Sequence, residues 1–223
     1  MTSSIVISGP PAVGKTTVAK GLAKEFNLQY LSGGDVLKEM AKEHGFNSDG
    51  DDWWDTEEGM KFLNQREQNS EFDKNLDKKL TDIFNQGGMV ITSYTLPWLI
   101  DTGVKIWLDG SHESSTQRMK SRDNMSSENA YEITKSRFDK NKALYKKLYD
   151  FNFGEDKDVF DVIINTDNLT ASDFFFGSRA MARMSKLTVI DEVIKLSRHD
   201  CRQRLIAPRP RYPRYWILIN HHH

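Results

Sequence analysis

The sequence predicts a three-layer α/β/α domain built on a five-stranded parallel sheet. Five short apolar runs have the length of buried strands: 4–8, 28–31, 89–92, 104–108 and 159–164. Segments with helical spacing alternate with them: 15–26, 34–44, 56–67, 71–86, 112–122 and 127–149. Because strands alternate with helices along the chain, we expect parallel strands with ligands bound at their carboxyl ends.

Composition is typical of one ordinary domain. The chain has 223 residues, of which 38% are hydrophobic and 28% charged. No apolar run approaches the roughly 18 residues that a membrane span needs, and the N-terminal residues do not resemble a secretory signal. The single cysteine, Cys201, excludes an internal disulfide and fits a reducing compartment. We therefore expect a cytoplasmic protein with no membrane partner.

Charge is distributed unevenly along the chain, although the net charge is only −1. Residues 1–170 hold 21 basic and 28 acidic side chains, whereas residues 171–223 hold ten basic and four acidic ones. An acidic body does not predict nucleic-acid binding by the core domain. The segment 202–214 interleaves arginines with tyrosines and prolines. It is interpreted as a flexible extension or, alternatively, as an RNA-binding tail.

The turn between the first strand and the first helix carries a phosphate-binding motif. Gly9, Gly14, Lys15 and Thr16 satisfy G-x-x-x-x-G-K-[ST], the P-loop motif, and predict a P-loop NTPase fold. The backbone N–H groups of such a loop and the start of its helix hold a triphosphate. Lys15 is expected to reach the β- and γ-phosphates, and the Thr16 hydroxyl to bind Mg²⁺. The predicted nucleotide-binding residues are Gly9, Pro10, Pro11, Ala12, Val13, Gly14, Lys15, Thr16 and Thr17.

The motif alone does not identify the phosphate acceptor, because motors, switches and kinases all use it. A switch that activates water needs a carboxylate after one of the strands. The third predicted strand continues as MVITSYTLPW, which contains none.

The turn after the second predicted strand also carries a recognisable motif. Residues 32–35, Ser-Gly-Gly-Asp, follow the second strand and open a helix, with Lys38 three positions further on. With this turn the sequence resembles the nucleoside monophosphate kinases, and within them the archaeal-type cytidylate kinases. The resemblance covers about three quarters of the chain and continues through 71–77, 105–124, Arg137, Tyr145, Lys146, Tyr149 and 161–170.

The resemblance implies transfer of phosphate from ATP, with Mg²⁺, to a pyrimidine nucleoside monophosphate, CMP or dCMP. UMP or AMP remains possible as the acceptor, and a nucleotide-dependent RNA-binding protein is the alternative from another class. The implied kinase domain is 1–173, with an acceptor-binding lobe at 32–86 and a lid at 118–145. Residues 174–223 form an atypical basic extension with a closing helix at 187–198 and a flexible tail at 199–223. A monomer or weak dimer is expected.

The resemblance also implies site roles. Arg118 and Arg122, four residues apart on one helix face, match arginines that enter the lid, and Arg137 matches an arginine that closes on the phosphates. With Lys15 these form the predicted catalytic set. Asp35 is expected to hold Mg²⁺ through water or to orient Lys15; it could equally cap its helix.

The sequence departs from the family pattern at three places. Lys38 stands where arginine is usual, and lysine grips phosphate only as a point charge. Residues 92–94, Thr-Ser-Tyr, replace an acid-glycine-arginine stretch, and Leu144 replaces a lid arginine. The candidate replacement cations are Arg66, Lys74 and Lys142.

Recognition of the base is predicted from carboxylates four residues apart. Asp73 and Asp77 could accept a hydrogen bond from the cytosine amine, with Ser93, Tyr94 and Thr95 as donors beside them. The alternative is a solvated acidic helix face, which is favoured for Asp77. The predicted acceptor-binding residues are Asp35, Lys38, Arg66, Asp73 and Tyr94. Trp53 and Trp54 are interpreted as lobe core rather than as stacking platforms for a base.

Overall fold

The computed structural model describes residues 3–48, 53, 57–68, 71–169 and 215–217. Its sheet contains β1 (Ile5–Ser8), β2 (Gln29–Ser32), β3 (Met89–Thr92), β4 (Val104–Asp109), β5 (Val162–Asn165) and β6 (Tyr215–Ile217). All neighbouring strands are parallel, in the order β2-β3-β1-β4-β5-β6. β1 therefore lies inside the sheet, between β3 and β4, and the P-loop follows directly from its carboxyl end.

The helices are α1 (Lys15–Phe26), α2 (Gly33–Glu43), α3 (Glu57–Gln68), α4 (Glu71–Gln86), α5 (Leu96–Leu99), α6 (His112–Asp123) and α7 (Ser127–Tyr149). The six predicted helices are confirmed, and α5 is a short addition. Ser32, Ser111 and Ser126 cap α2, α6 and α7, because each hydroxyl accepts a hydrogen bond from the N–H three residues later.

Alternating strand side chains divide the core between the two faces of the sheet. Ile5 and Ile7 of β1 pack under α1, while Val6 packs with α2, α3 and α4 on the other face. The three-layer arrangement is thereby confirmed. Trp53 is buried in the second of these cores, as predicted, and contacts the Phe62 ring; Trp54 lies outside the described residues.

A third cluster is aromatic and joins α7 to the sheet. Trp107 of β4 packs with Phe153 and Phe160, and Phe138 and Tyr145 of α7 pack against Phe153. Aromatic pairs at these distances stabilise beyond the area they bury. The middle of α7 is therefore fixed to the same sheet that carries the P-loop.

The sheet has one strand more than predicted. β6 pairs with β5 along its length, with Val162 opposite Tyr215 and Ile164 opposite Ile217. These residues come from the segment expected to be a flexible tail. The open edge of β5 offers unpaired N–H and C=O groups, and Tyr-Trp-Ile is a strand-favouring sequence. The predicted closing helix at 187–198 and the arginine-rich segment 202–214 lie outside the described residues.

Among the helices in the described ranges, none combines the length and the apolar character that crossing a membrane requires.

Two glycines of the P-loop give a matched test of this packing. A Cβ at Gly9 (φ +150°) would lie 2.3 Å from the carbonyl oxygen of Leu108, whereas one at Gly14 (φ +99°) would meet nothing within 4 Å. We expect Gly14→Ala to cost about 1–2 kcal/mol through backbone strain alone. Gly9→Ala should cost about 1–3 kcal/mol more, because β1 and β4 must separate. Urea denaturation measures the free energy of unfolding of both variants. An equal loss of stability in the two would contradict the close approach of Gly9 to Leu108.

Candidate active site

The P-loop is shaped by residues with positive φ. Gly14 adopts a left-handed conformation immediately before α1 and supplies no capping side chain, and Ala12 also has positive φ. The first turn of α1 therefore presents its N–H groups to the loop interior, where an anion is stabilised by hydrogen bonds and by the helix dipole.

Lys15 is held inside its own loop. Its Nζ donates to the carbonyl oxygens of Gly9 (2.9 Å) and Pro10 (2.6 Å) and lies 4.6 Å from the centroid of the Tyr94 ring. Burial lowers the pKa of Lys15, and interaction with Tyr94 partly opposes that shift. The positive charges of Arg137 and Arg122 lower this pKa further. Arg122 and Arg137 therefore both lie close enough to Lys15 for their charges to act on it.

The loop opens into a cleft of about 1280 Å³ at the carboxyl ends of the strands. Residues 11–17 of the loop line it. The other predicted site residues that line it are Asp35, Lys38, Asp73, Tyr94, Arg118, Arg122 and Arg137. The side chain of Arg66 lies outside the described part of the chain. One cleft thus brings together the side chains that the sequence assigned to the donor and to the acceptor.

The far end of the cleft is built around Asp77. Its Oδ1 accepts from the Thr95 hydroxyl and its Oδ2 from the Tyr149 hydroxyl, both at 2.5 Å. The expectation of a solvated face at Asp77 is wrong, since Asp77 is 4% exposed and Asp73 2% exposed. Burial and the bond to Asp77 raise the pKa of Tyr149 far above its usual value, so its hydroxyl remains a donor.

Asp35 does not cap α2. The Ser32 hydroxyl performs that role by accepting from the Asp35 N–H, so the capping alternative for Asp35 is wrong. The Asp35 side chain is exposed and lines the cleft, as does Thr16. A hydroxyl and a carboxylate that line the same cleft supply hard oxygen donors, which fit Mg²⁺ carried by a nucleotide.

The three arginines of α6 and α7 that were predicted as site residues differ in what they contact. The Arg118 guanidinium donates to Thr166 Oγ1 (3.0 Å) and to the carbonyl oxygens of Thr166 and Val13, so it ties α6 to the P-loop and to the end of β5. Arg122 forms a bidentate ion pair with the neighbouring Asp123: Nε donates to Oδ1 at 2.5 Å and Nη2 to Oδ2 at 2.6 Å. Arg137 lies on α7 and lines the cleft.

The proposed replacement cations Lys74 and Lys142 are not among the residues lining the cleft. Lys74 pairs with Glu71 of its own helix, and Lys142 pairs with Glu155. Sequence reasoning missed Lys140 and Asn141, which do line the cleft. Their spacing of three and four residues from Arg137 was the available signal, because such residues share a helix face.

Solved structures share this fold. An uncharacterized protein from Eubacterium ventriosum matches with a TM-score of 0.54 and 18% identity, over 82% of this chain and 97% of that one. A shikimate kinase from Acinetobacter baumannii, solved with shikimate, matches with a TM-score of 0.50 and 19% identity, over 84% of this chain and 96% of that one. At these identities the likeness is one of fold.

Proteins related in sequence indicate the family of this chain, which the structural matches do not. The cytidylate kinase of Sulfurisphaera tokodaii is 32% identical over 74% of this chain and 87% of its own length. The enzyme of Methanocaldococcus jannaschii is 30% identical over 73% of this chain and 87% of its own length. The enzyme of Methanococcus aeolicus is 27% identical over 82% of this chain and 99% of its own length. The model of the cytidylate kinase-like family matches residues 4–168, from β1 to just beyond β5. This confirms the resemblance predicted from the sequence: the chain belongs to the cytidylate kinase-like family.

Proposed function

We propose that this protein transfers the γ-phosphate of ATP to CMP or dCMP and that the reaction is reversible. The observation that carries the proposal is the single cleft, which has a P-loop with Lys15 at one end and the buried carboxylates Asp73 and Asp77 at the other. Membership of the cytidylate kinase-like family supports the same reaction. We assign this reaction to the cytoplasm and expect the protein to act as a monomer or weak dimer.

The donor end supplies charge rather than an acid or base. Phosphoryl transfer depends on positioning and on positive charge around the moving group. When ATP binds, Lys15 exchanges the carbonyl oxygens of Gly9 and Pro10 for the β- and γ-phosphates. Arg122 and Arg137, whose charges already act on Lys15, stabilise the transferring group. Mg²⁺, held by Thr16 and Asp35 together with the phosphates, would neutralise further negative charge.

The acceptor end distinguishes bases by hydrogen bonding. Asp77 already accepts from Thr95 and Tyr149, so we assign it to shaping the pocket. Asp73 lies one helical turn before it and also lines the cleft; we assign it to accept from the cytosine amine. Uracil presents a carbonyl oxygen at that position, which a carboxylate repels. Movement of the lid would exclude water, so that phosphate passes to the acceptor and not to solvent.

The test of this function is a coupled ADP-release assay with CMP, dCMP, UMP, AMP and GMP. We expect stimulation by CMP and dCMP. Asp73→Asn should reduce the ratio of kcat/KM for CMP to that for UMP by about tenfold, because the amide can donate to the uracil carbonyl. Stimulation by UMP or AMP alone would identify another acceptor, and stimulation by RNA alone would replace the kinase assignment.

Removal of the P-loop lysine tests the donor end. Lys15→Met should lower kcat by about 100-fold or more, as loss of a charge-stabilising group does. Lys24→Met on the same helix is the matched control, because Lys24 is exposed in the last turn of α1. Normal turnover by Lys15→Met would contradict the role assigned to Lys15.

The Lys15→Met variant also tests whether ATP binding is coupled to proton uptake by Lys15. Bound phosphate raises the pKa of Lys15, which burial lowers in the ligand-free protein. At pH values between the lowered pKa of the free protein and the raised pKa of the complex, ATP binding should therefore be accompanied by net proton uptake, and ATP affinity should fall as pH rises through that range. Calorimetry in buffers of different ionisation enthalpy measures this uptake, which Lys15→Met should lose.

A further inference from the structure

We propose that Lys140 binds the phosphate of the acceptor nucleotide and replaces the arginines that the sequence lacks. The inference rests on the proposed function, because it assigns a residue to the acceptor of that reaction.

α7 runs along the cleft from the donor end to the acceptor end. Arg137, Lys140, Asn141, Leu144 and Tyr145 all line the cleft, and their spacing places them on one face of the helix. At one end of this row, the charge of Arg137 acts on Lys15. At the other end of α7, the Tyr149 hydroxyl is bonded to Asp77 beside the base pocket.

Lys140 occupies the interval between these two contacts. At a rise of about 1.5 Å per residue it lies roughly 4.5 Å along the axis from Arg137 and roughly 13.5 Å from Tyr149. Tyr145, further along the same face, has its ring 6.3 Å from that of Tyr94, the residue that covers Lys15. Because the charge of Arg137 acts on Lys15 and Tyr149 bonds to Asp77, Lys140 lies on the stretch of α7 between the two ends of the cleft. We assign it to the junction of the two nucleotides, where an acceptor phosphate must lie to reach the γ-phosphate.

Other cations of the cleft lie on the donor side. Arg118 is bonded to Thr166 and to Val13 of the P-loop, and the charge of Arg122 acts on Lys15. Lys20 lies over the Tyr30 ring at 5.6 Å. Among the cleft-lining cations of the described residues, Lys38 and Lys140 are those best placed for the acceptor, one on α2 and one on α7.

The chemistry of the side chain fits this role. A nucleoside monophosphate carries a charge of about −1.5 to −2 on its phosphate near neutral pH, and an ammonium group meets it with three donors. Leu144, one turn after Lys140 on the same face, cannot do so. The Lys140 side chain is exposed, so it can extend to phosphate without disturbing the core.

Steady-state kinetics of Lys140→Met, with CMP and ATP varied separately, test the inference. We expect the KM for CMP to rise by about tenfold or more, as loss of a charged phosphate contact does. The KM for ATP should stay within about twofold of its original value, because other residues hold the donor. Inhibition by cytidine, which has no phosphate, should be unchanged, and Lys140→Arg should restore the KM for CMP.

Lys142→Met is the matched control, since Lys142 is on the same helix and pairs with Glu155; both KM values should be unchanged. An unaltered KM for CMP in Lys140→Met, or an equal rise in the KM for ATP, would overturn the inference. Failure of the proposed function looks different: the unmodified protein would then release no ADP in response to CMP.

Discussion

The close approach of Gly9 to the backbone of Leu108 is the constraint on which the rest of the site depends. It seats the P-loop between β1 and β4, where only a residue without a side chain fits. The loop carbonyls that hold Lys15 are positioned by this contact. Because Lys15 is held by its own loop, the site is preorganised for phosphate, and binding requires exchange of hydrogen-bond partners rather than folding of the loop.

A second constraint aligns the acceptor end with the first. Asp77 of α4 binds both Thr95, after β3, and Tyr149, at the end of α7. Three separate chain segments are thereby joined at one buried carboxylate. Removing either hydroxyl would take one hydrogen bond from a buried carboxylate, which is costly. α7 is thus fixed to Asp77 by Tyr149 and at mid-length by the aromatic cluster, and its cleft face carries Arg137 and Lys140.

Periodicity predicted most of the fold, because buried strands and amphipathic helices are local patterns. The same patterns could not predict that Asp77 is buried, since the residue that covers it, Tyr149, is 72 positions away in the chain. They also could not show that Arg118 would bind the backbone of Val13 and Thr166. β6 was missed because an edge strand depends on its neighbour more than on its own sequence. The motif residues were found because their spacing is dictated by a short stretch of backbone.

In the function proposed here, one cleft holds a donor triphosphate and an acceptor monophosphate at the same time. Titration calorimetry with a bisubstrate compound, adenosine and cytidine joined through a pentaphosphate chain, examines both sites at once. We expect one compound bound per protein, more tightly than ATP or CMP alone, with its binding blocked by either nucleotide. Binding no tighter than that of ATP, or binding unaffected by CMP, would contradict it.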